Sequence, residues 1–292
     1  MKAVLGMIAI LSWYGFRGLE SRAQADEIRA GTALIRMDQQ FLQTAPYSDA
    51  TNITKHFGYT VPLPEYAITN ESFELKVPEV LSTNESWGLL VWISPNDEPT
   101  IPPDWDRELE KHRLLFVSSR RSGNLRHPLD RFRLALDATC NMCRRYTVDR
   151  RRIYIGGFSG GARIASMLGV AYADIYTGTL CVCGVNFYKD VAAGGGQYYP
   201  ATFTPSPNVL PLGKRTGRFV LLTGQHDENR ASTERISTQG FKREGFRNVL
   251  YIEASGLGHE MPPAATLGIA LDYLAGDPDK SASSREPSSL TR

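Results

Sequence analysis

The sequence is poor in the features that mark several protein classes. Four cysteines in 292 residues are too few for a disulfide-held scaffold. Charge of either sign is not in surplus: 33 Lys and Arg face 31 Asp and Glu, and a net +2 gives no ground for a nucleic-acid or membrane partner. Beyond the first fourteen residues no apolar run approaches the ~18 that a spanning helix needs. There is no repeat and no collagen-like period, and the 26 Gly and 17 Pro are spread along the chain. What remains is a length and composition suited to one large α/β domain or two small ones.

The N-terminus reads as an address. Lys2 precedes an apolar run from Ala3 to Tyr14, and Ala23-Gln24-Ala25 forms a small-residue cleavage pattern before Asp26. Residues 1–25 are therefore expected to be a signal peptide, with the product secreted or periplasmic. They hold three cations and one acid, so the remainder carries 30 of each sign. Residues 276–292 are Ser-, Pro- and charge-rich and are expected to be a disordered tail, leaving 26–275 as one catalytic domain. Sequons stand at Asn52, Asn70 and Asn84.

Within that domain, 26–64 reads as an irregular preface and the period-two alternation from Glu65 to Val77 as a hairpin. Short apolar runs at 88–93, 113–117, 153–155, 178–185, 218–222 and 248–253 predict strands buried on both faces. Helical spacing at 104–111, 128–145, 162–171 and 263–275 alternates with them, which predicts a mostly parallel α/β sheet flanked by helices on both faces. The 184–217 connection is long, Gly- and Pro-rich, and carries Tyr188, Tyr198 and Tyr199 as candidate lid or substrate-pocket residues.

The most informative residues are Gly157-Phe158-Ser159-Gly160-Gly161, between a strand and a helix. G-x-S-x-G in that context is a nucleophile elbow: the sharp turn lifts the hydroxyl clear of the sheet, and flanking glycines avoid clashes. A serine at its free pKa is a poor nucleophile and needs a base and an orienting acid. Two of the five histidines follow Ser159. His259 sits in a Gly-rich loop after the last strand and suits a base; His226 abuts a strand end and reads as packing or surface, with His56, His112 and His127 structural. Asp227 follows a strand and supplies the acid, with Glu228 as its alternative.

The elbow, its Val148–Tyr154 lead-in, the Ala171–Gly178 stretch and Gly258-His259-x-x-Pro262 together resemble the esterase branch that contains polyhydroxybutyrate depolymerases and feruloyl esterases. The resemblance covers roughly 87–275. It implies an α/β-hydrolase fold, no cofactor, no metal, and ester hydrolysis of a small molecule or polymer through an acyl-enzyme. The branch carries a His-Gly pair after the third strand, where this chain has Ile93-Ser94-Pro95-Asn96-Asp97. The first oxyanion donor is then the Gly160 amide. Pro95 has no N–H, so the second is expected from Asn96, with Ser94 as the other option.

Two further clusters carry expectations. Cys140 and Cys143 share a helix face, while Cys181 and Cys183 are expected on one face of a strand; buried thiols or one disulfide are favoured over a four-thiolate zinc site. Between Lys111 and Arg152 twelve Lys and Arg face three acids, a pattern usual for a solvated surface. Arg120 and Arg121, in a loop after a strand, are singled out as candidates to attract anionic substrates. The rival classes are peptide cleavage or acyl transfer by the same triad, and a non-catalytic exported binding protein that keeps the elbow.

Overall fold

The computed structural model describes residues 33–58, 64–79 and 86–276. The expected signal peptide, the tail from 277 and the Asn84 sequon lie outside them. In chain order the elements begin β1 (Leu34–Gln39), α1 (Ala50–Phe57), β2 (Phe73–Pro78), β3 (Trp87–Ile93), α2 (Trp105–Lys111), β4 (Leu114–Ser119) and α3 (Pro128–Arg145). They continue with β5 (Val148–Phe158), α4 (Gly160–Ala171), β6 (Gly178–Val182), a hairpin of β7 (Val191–Gly194) and β8 (Gln197–Tyr199), and α5 (Leu210–Thr216). β9 (Arg218–Gly224), α6 (Arg230–Arg235), which runs on into a π-helical segment at Ile236–Lys242, β10 (Asn248–Ala254) and α7 (Ala264–Ala275) complete them.

Eight strands form one sheet in the order β1-β2-β4-β3-β5-β6-β9-β10. The β1–β2 and β2–β4 pairs are antiparallel and all others parallel. The parallel strands are continuous apolar runs because both faces are covered. In β3, reading WGLLVWI, Leu89, Val91 and Ile93 enter one core and Leu90 and Trp92 the other. β4 and β9 divide in the same way, with Leu115, Val117, Phe219 and Leu221 on the first face and Leu114, Phe116, Val220 and Leu222 on the second. Helices α1, α3 and α4 cover the first face; α2 and α7 cover the second. The chain steps from β3 to β4 on one side and then to β5 on the other, so a crevice opens at the carboxyl ends of β3 and β5.

Two expectations about the first eighty residues give way. The alternating stretch from Glu65 is not a hairpin: Ile68–Asn70 forms a 3₁₀ turn, and only Phe73–Pro78 is a strand, paired with β1. The preface is not wholly irregular either. Its strand β1 is a half-exposed edge whose Arg36 and Asp38 break the apolar alternation. Its helix α1 is bounded by the Asp49 carboxylate, which accepts from Asn52 N–H at 2.9 Å, and by Gly58 at φ 67°.

Besides the β1–β2 pairing, a buried carboxylate ties this N-terminal part to α3. Asp137 on α3 accepts from Ala45 N–H (2.6 Å), Ser48 Oγ (2.6 Å) and Tyr66 Oη (2.8 Å). Burial raises its pKa despite these donors, so the ionised form costs the fold, and stability falls as pH rises through the unfolded and then the folded value. Asp137→Ala strands three donors and is expected to lower the unfolding free energy by about 2 kcal/mol or more. Asp137→Asn should cost less, because the Tyr66 hydroxyl can turn to accept. Urea denaturation of both variants checks this.

Candidate active site

β5 ends at Phe158 and α4 begins at Gly160, so the chain reverses at a single residue. That residue, Ser159, adopts φ 53° and ψ −119°, a backbone region that side-chain-bearing residues rarely occupy. The turn is possible because the elements meet through glycine. A Cβ on Gly161 would stand 1.9 Å from Ile93 O, and one on Gly157 would stand 2.5 Å from the Gly161 carbonyl carbon. The Ser159 N–H donates to Val182 O at 2.8 Å, which pins the elbow to β6.

The hydroxyl meets His259. Ser159 Oγ lies 2.9 Å from His259 Nε2, and His259 Nδ1 lies 2.8 Å from Asp227 Oδ1. Asp227 also accepts from Thr223 Oγ1 at 2.7 Å and from Asn229 N–H at 2.9 Å. Burial alone would raise its pKa, but the Asn229 amide outweighs it together with His259, Thr223 and the Cys183 thiol, holding the carboxyl below its usual range. An ionised carboxylate can only accept, so Nδ1 carries the imidazole proton and Nε2 turns its lone pair to the serine. Glu228, the alternative acid, is exposed and makes no such contact.

The His259 loop is anchored on both sides. His226 N–H donates to Leu257 O at 2.8 Å, and Trp105 Nε1–H on α2 donates to Pro262 O at 2.8 Å. The His226 ring is exposed. His56 stacks on Tyr172 at 4.0 Å, His112 bridges Glu108 O and Asp272 Oδ1, and His127 accepts from Leu129 N–H at the start of α3.

Several expected site residues lie elsewhere. Arg120 is clamped by Asp38 (2.7 Å), Glu74 (3.3 Å) and Glu98, and Arg121 reaches Asn70 O and Glu71. Arg120 is spent on holding the β1–β2 edge to the loop after β3, Arg121 turns to the segment before β2, and neither lines the cavity that Tyr199 walls. Tyr188 is buried among Phe187, Phe203 and Phe246, with its hydroxyl donating to Glu244 at 3.1 Å, so it fills core. Tyr198 is 62% exposed. Tyr199, with Val185, Phe187, Arg163, Asn229 and Ile236, walls a cavity of about 320 Å³, and Asn229 in turn lies 3.5 Å from His259 Nδ1. The Asn96 amide is turned into its own loop, donating to Ser94 Oγ at 3.0 Å, because the hydroxyl two residues back closes a tight turn across Pro95.

The cysteines follow expectation in being thiols, three of them buried, and depart from it in one placement. All four are free thiols. Cys181 and Cys183 do not share a face, since Cys183 lies past the end of β6 at φ 56° and turns into the opposite core. Its thiol faces Asp227, and burial followed by that carboxylate pushes its pKa to about 12. Ligand-type atoms of Cys183, Asp227 and His259 lie within 4.8 Å of one another. A cation could be held there only by displacing the thiol proton and the Asp227–His259 hydrogen bond, so metal loading and the hydrogen-bonded chain are mutually exclusive.

Sequence reasoning passed over Asn229, whose side chain donates to Cys183 O (3.2 Å) and accepts from Arg163 Nη2 (2.9 Å). The available signal was its position two residues after Asp227, where an Asx turn places a backbone N–H on the carboxylate.

The sequence matches no family model and no curated protein. The solved structures it resembles include a feruloyl esterase module from Clostridium thermocellum, at 11% identity and TM-score 0.53, over 84% of this chain and 87% of that one. Others are the fluorophosphonate-binding serine hydrolase F of Staphylococcus aureus (10%, 0.55, 84% and 99%) and its S-formylglutathione hydrolase (10%, 0.51, 82% and 93%). With the strand order above, the chain has the α/β-hydrolase fold. The raised Cys183 thiol yields a direct expectation: iodoacetamide at pH 8 leaves Cys183 unmodified in the folded protein and alkylates it in urea, as read by peptide mass spectrometry.

Proposed function

We propose that the protein is an exported serine hydrolase that cleaves carboxylic esters through an acyl-enzyme. The observation that carries this reading is the continuous chain Ser159–His259–Asp227, with links of 2.9 and 2.8 Å, at the tip of a strained elbow. Ser159 Oγ attacks the ester carbonyl carbon while His259 Nε2 takes its proton, and the carbonyl electron pair moves onto oxygen. As the tetrahedral centre collapses, His259 returns the proton to the leaving alcohol. Water then repeats the sequence on the acyl-enzyme, with His259 as its base. Asp227 stays ionised, fixes the tautomer and stabilises the transient imidazolium.

The N–H of Gly160, the residue after the nucleophile, is the first oxyanion donor in this reading. The cavity walled by Tyr199, Phe187 and Ile236 receives one arm of the ester, since its wall includes Asn229, whose amide lies 3.5 Å from His259 Nδ1. The fold likeness to a feruloyl esterase module supports ester hydrolysis as the chemistry. Export rests on the leader pattern of residues 1–25. Among the described residues no helix is long and apolar enough to cross a membrane, and 26–275 forms the single catalytic domain in this proposal.

A fluorophosphonate probe is expected to label the wild type and not Ser159→Ala. Ser159→Ala should lower kcat on p-nitrophenyl esters by about 10⁶-fold. A folded wild type that resists the probe, or equal labelling of the variant, would remove the serine-hydrolase reading. Peptide amides assayed beside the esters separate esterase from peptidase.

A further inference from the structure

The proposed reaction needs a second donor for the oxyanion, and Asn96, the residue first expected to give it, does not. Pro95 has no N–H, and the Asn96 N–H is engaged by Ser94 Oγ. That leaves the Ser94 N–H, the other option, and one side chain on the same rim, Asn124, in the loop between β4 and α3. Its carboxamide lies directly over Gly160: a Cβ on Gly160 would stand 2.1 Å from Asn124 Oδ1 and 2.9 Å from Nδ2. The Asn124 N–H donates to Pro95 O at 2.8 Å, so the two loops are joined at this point. Asn124 is exposed, and its carboxamide stands beside Gly160, whose N–H would donate to the developing charge.

Arg131 on α3 decides which way the carboxamide faces. Its Nη1 donates to Asn124 Oδ1 at 3.3 Å and its Nη2 to Ser94 O at 3.1 Å. A guanidinium only donates, so it selects the oxygen of the amide and leaves the NH₂ turned away from it. Arg131 is otherwise hard to account for. It is 4% exposed, its Nε is buried without a partner, and both its hydrogen-bond acceptors are neutral. Burial lowers it to about 10, which still leaves it charged at neutral pH. A buried cation facing only dipoles is costly unless a counter-charge arrives during function.

We propose, on the ester-hydrolase reading above, that Asn124 is a catalytic residue whose Nδ2–H donates to the oxyanion beside Gly160 N–H. Arg131 is its positioning residue, turning the amide outward and setting positive charge behind the forming oxyanion. The arrangement adds a side-chain donor from the β4 loop to the backbone N–H groups at the oxyanion. It acts when the Ser159 Oγ–carbon bond forms and the carbonyl π pair becomes a lone pair on oxygen, the proton passing to His259.

The test is steady-state kinetics on p-nitrophenyl butyrate. Asn124→Ala is expected to lower kcat about 10²-fold with KM within a factor of about three, as for loss of one oxyanion donor. Asn124→Asp, nearly isosteric, should lose more, because it replaces the donor with a negative charge. Arg131→Met should lower kcat at unchanged KM and add little when combined with Asn124→Ala, while Arg131→Lys restores part of the loss. Melting curves of each variant separate this from unfolding. The inference is overturned if the wild type is active and labelled at Ser159 but folded Asn124→Ala and Asn124→Asp keep kcat within threefold. It is equally overturned if Arg131→Met and Asn124→Ala effects multiply independently. A wild type that neither labels nor hydrolyses esters would instead take down the parent reading together with this one.

Discussion

Everything in the site depends on the contact between two backbones at the elbow. Helix α4 can start immediately after β5 only because Gly157 and Gly161 let it touch the Ile93 carbonyl, at separations no Cβ could tolerate. That approach forces Ser159 to φ 53°, a strain of about 1–3 kcal/mol that the buried sheet on both sides sustains. The same approach sets Gly160 N–H, the end of β3 and the Asn124 loop around a single point. Relaxing the turn would move the Ser159 hydroxyl and the Gly160 N–H together.

The acid side is organised by a graded series of protonation states. Cys183 is pushed up and stays a neutral donor; Asp227 is held down and stays an anion. Between them the positive φ at Cys183 matters, because it turns the thiol out of the strand's own face and onto the carboxylate. Asn229 then joins this buried group to the cavity wall, donating its backbone N–H to Asp227 and accepting at its side-chain oxygen from Arg163. Cavity and triad are therefore one hydrogen-bonded unit.

The parallel strands were legible because burial on both faces writes an unbroken apolar run, as in WGLLVWI of β3. Edge strand β1 was not, since Arg36 and Asp38 face solvent and break the alternation. Helix α6 and its π-helical continuation bury Thr233, Ile236, Ser237, Gly240 and Phe241, at steps of three and one. That spacing is helical, yet three of the five are small or polar, so no hydrophobic period was visible. Ser159, Asp227 and His259 were each legible from a local motif, and the fold brings them within hydrogen-bond reach. Arg120, Asn96 and Cys183 were misjudged for a common reason: each side chain or amide is committed by a partner distant in sequence or by a backbone angle. Asn124 and Arg131 carry no motif and become visible only when two loops meet.

The two hydrogen bonds that flank His259 have a consequence for how the protein would lose activity. One end of its loop is tied to Leu257 through His226, and the other to Pro262 through Trp105. Trp105 is fully buried and stacks edge-on against Trp92 of the central strand. The loop thus hangs like a short rope between two posts, one of them sunk in the core. The imidazole stays within reach of Ser159 while the second core is packed. Heat or denaturant should silence the histidine in step with the melting of that core rather than ahead of it, so the hinge of the chemistry and the keel of the fold fail as one.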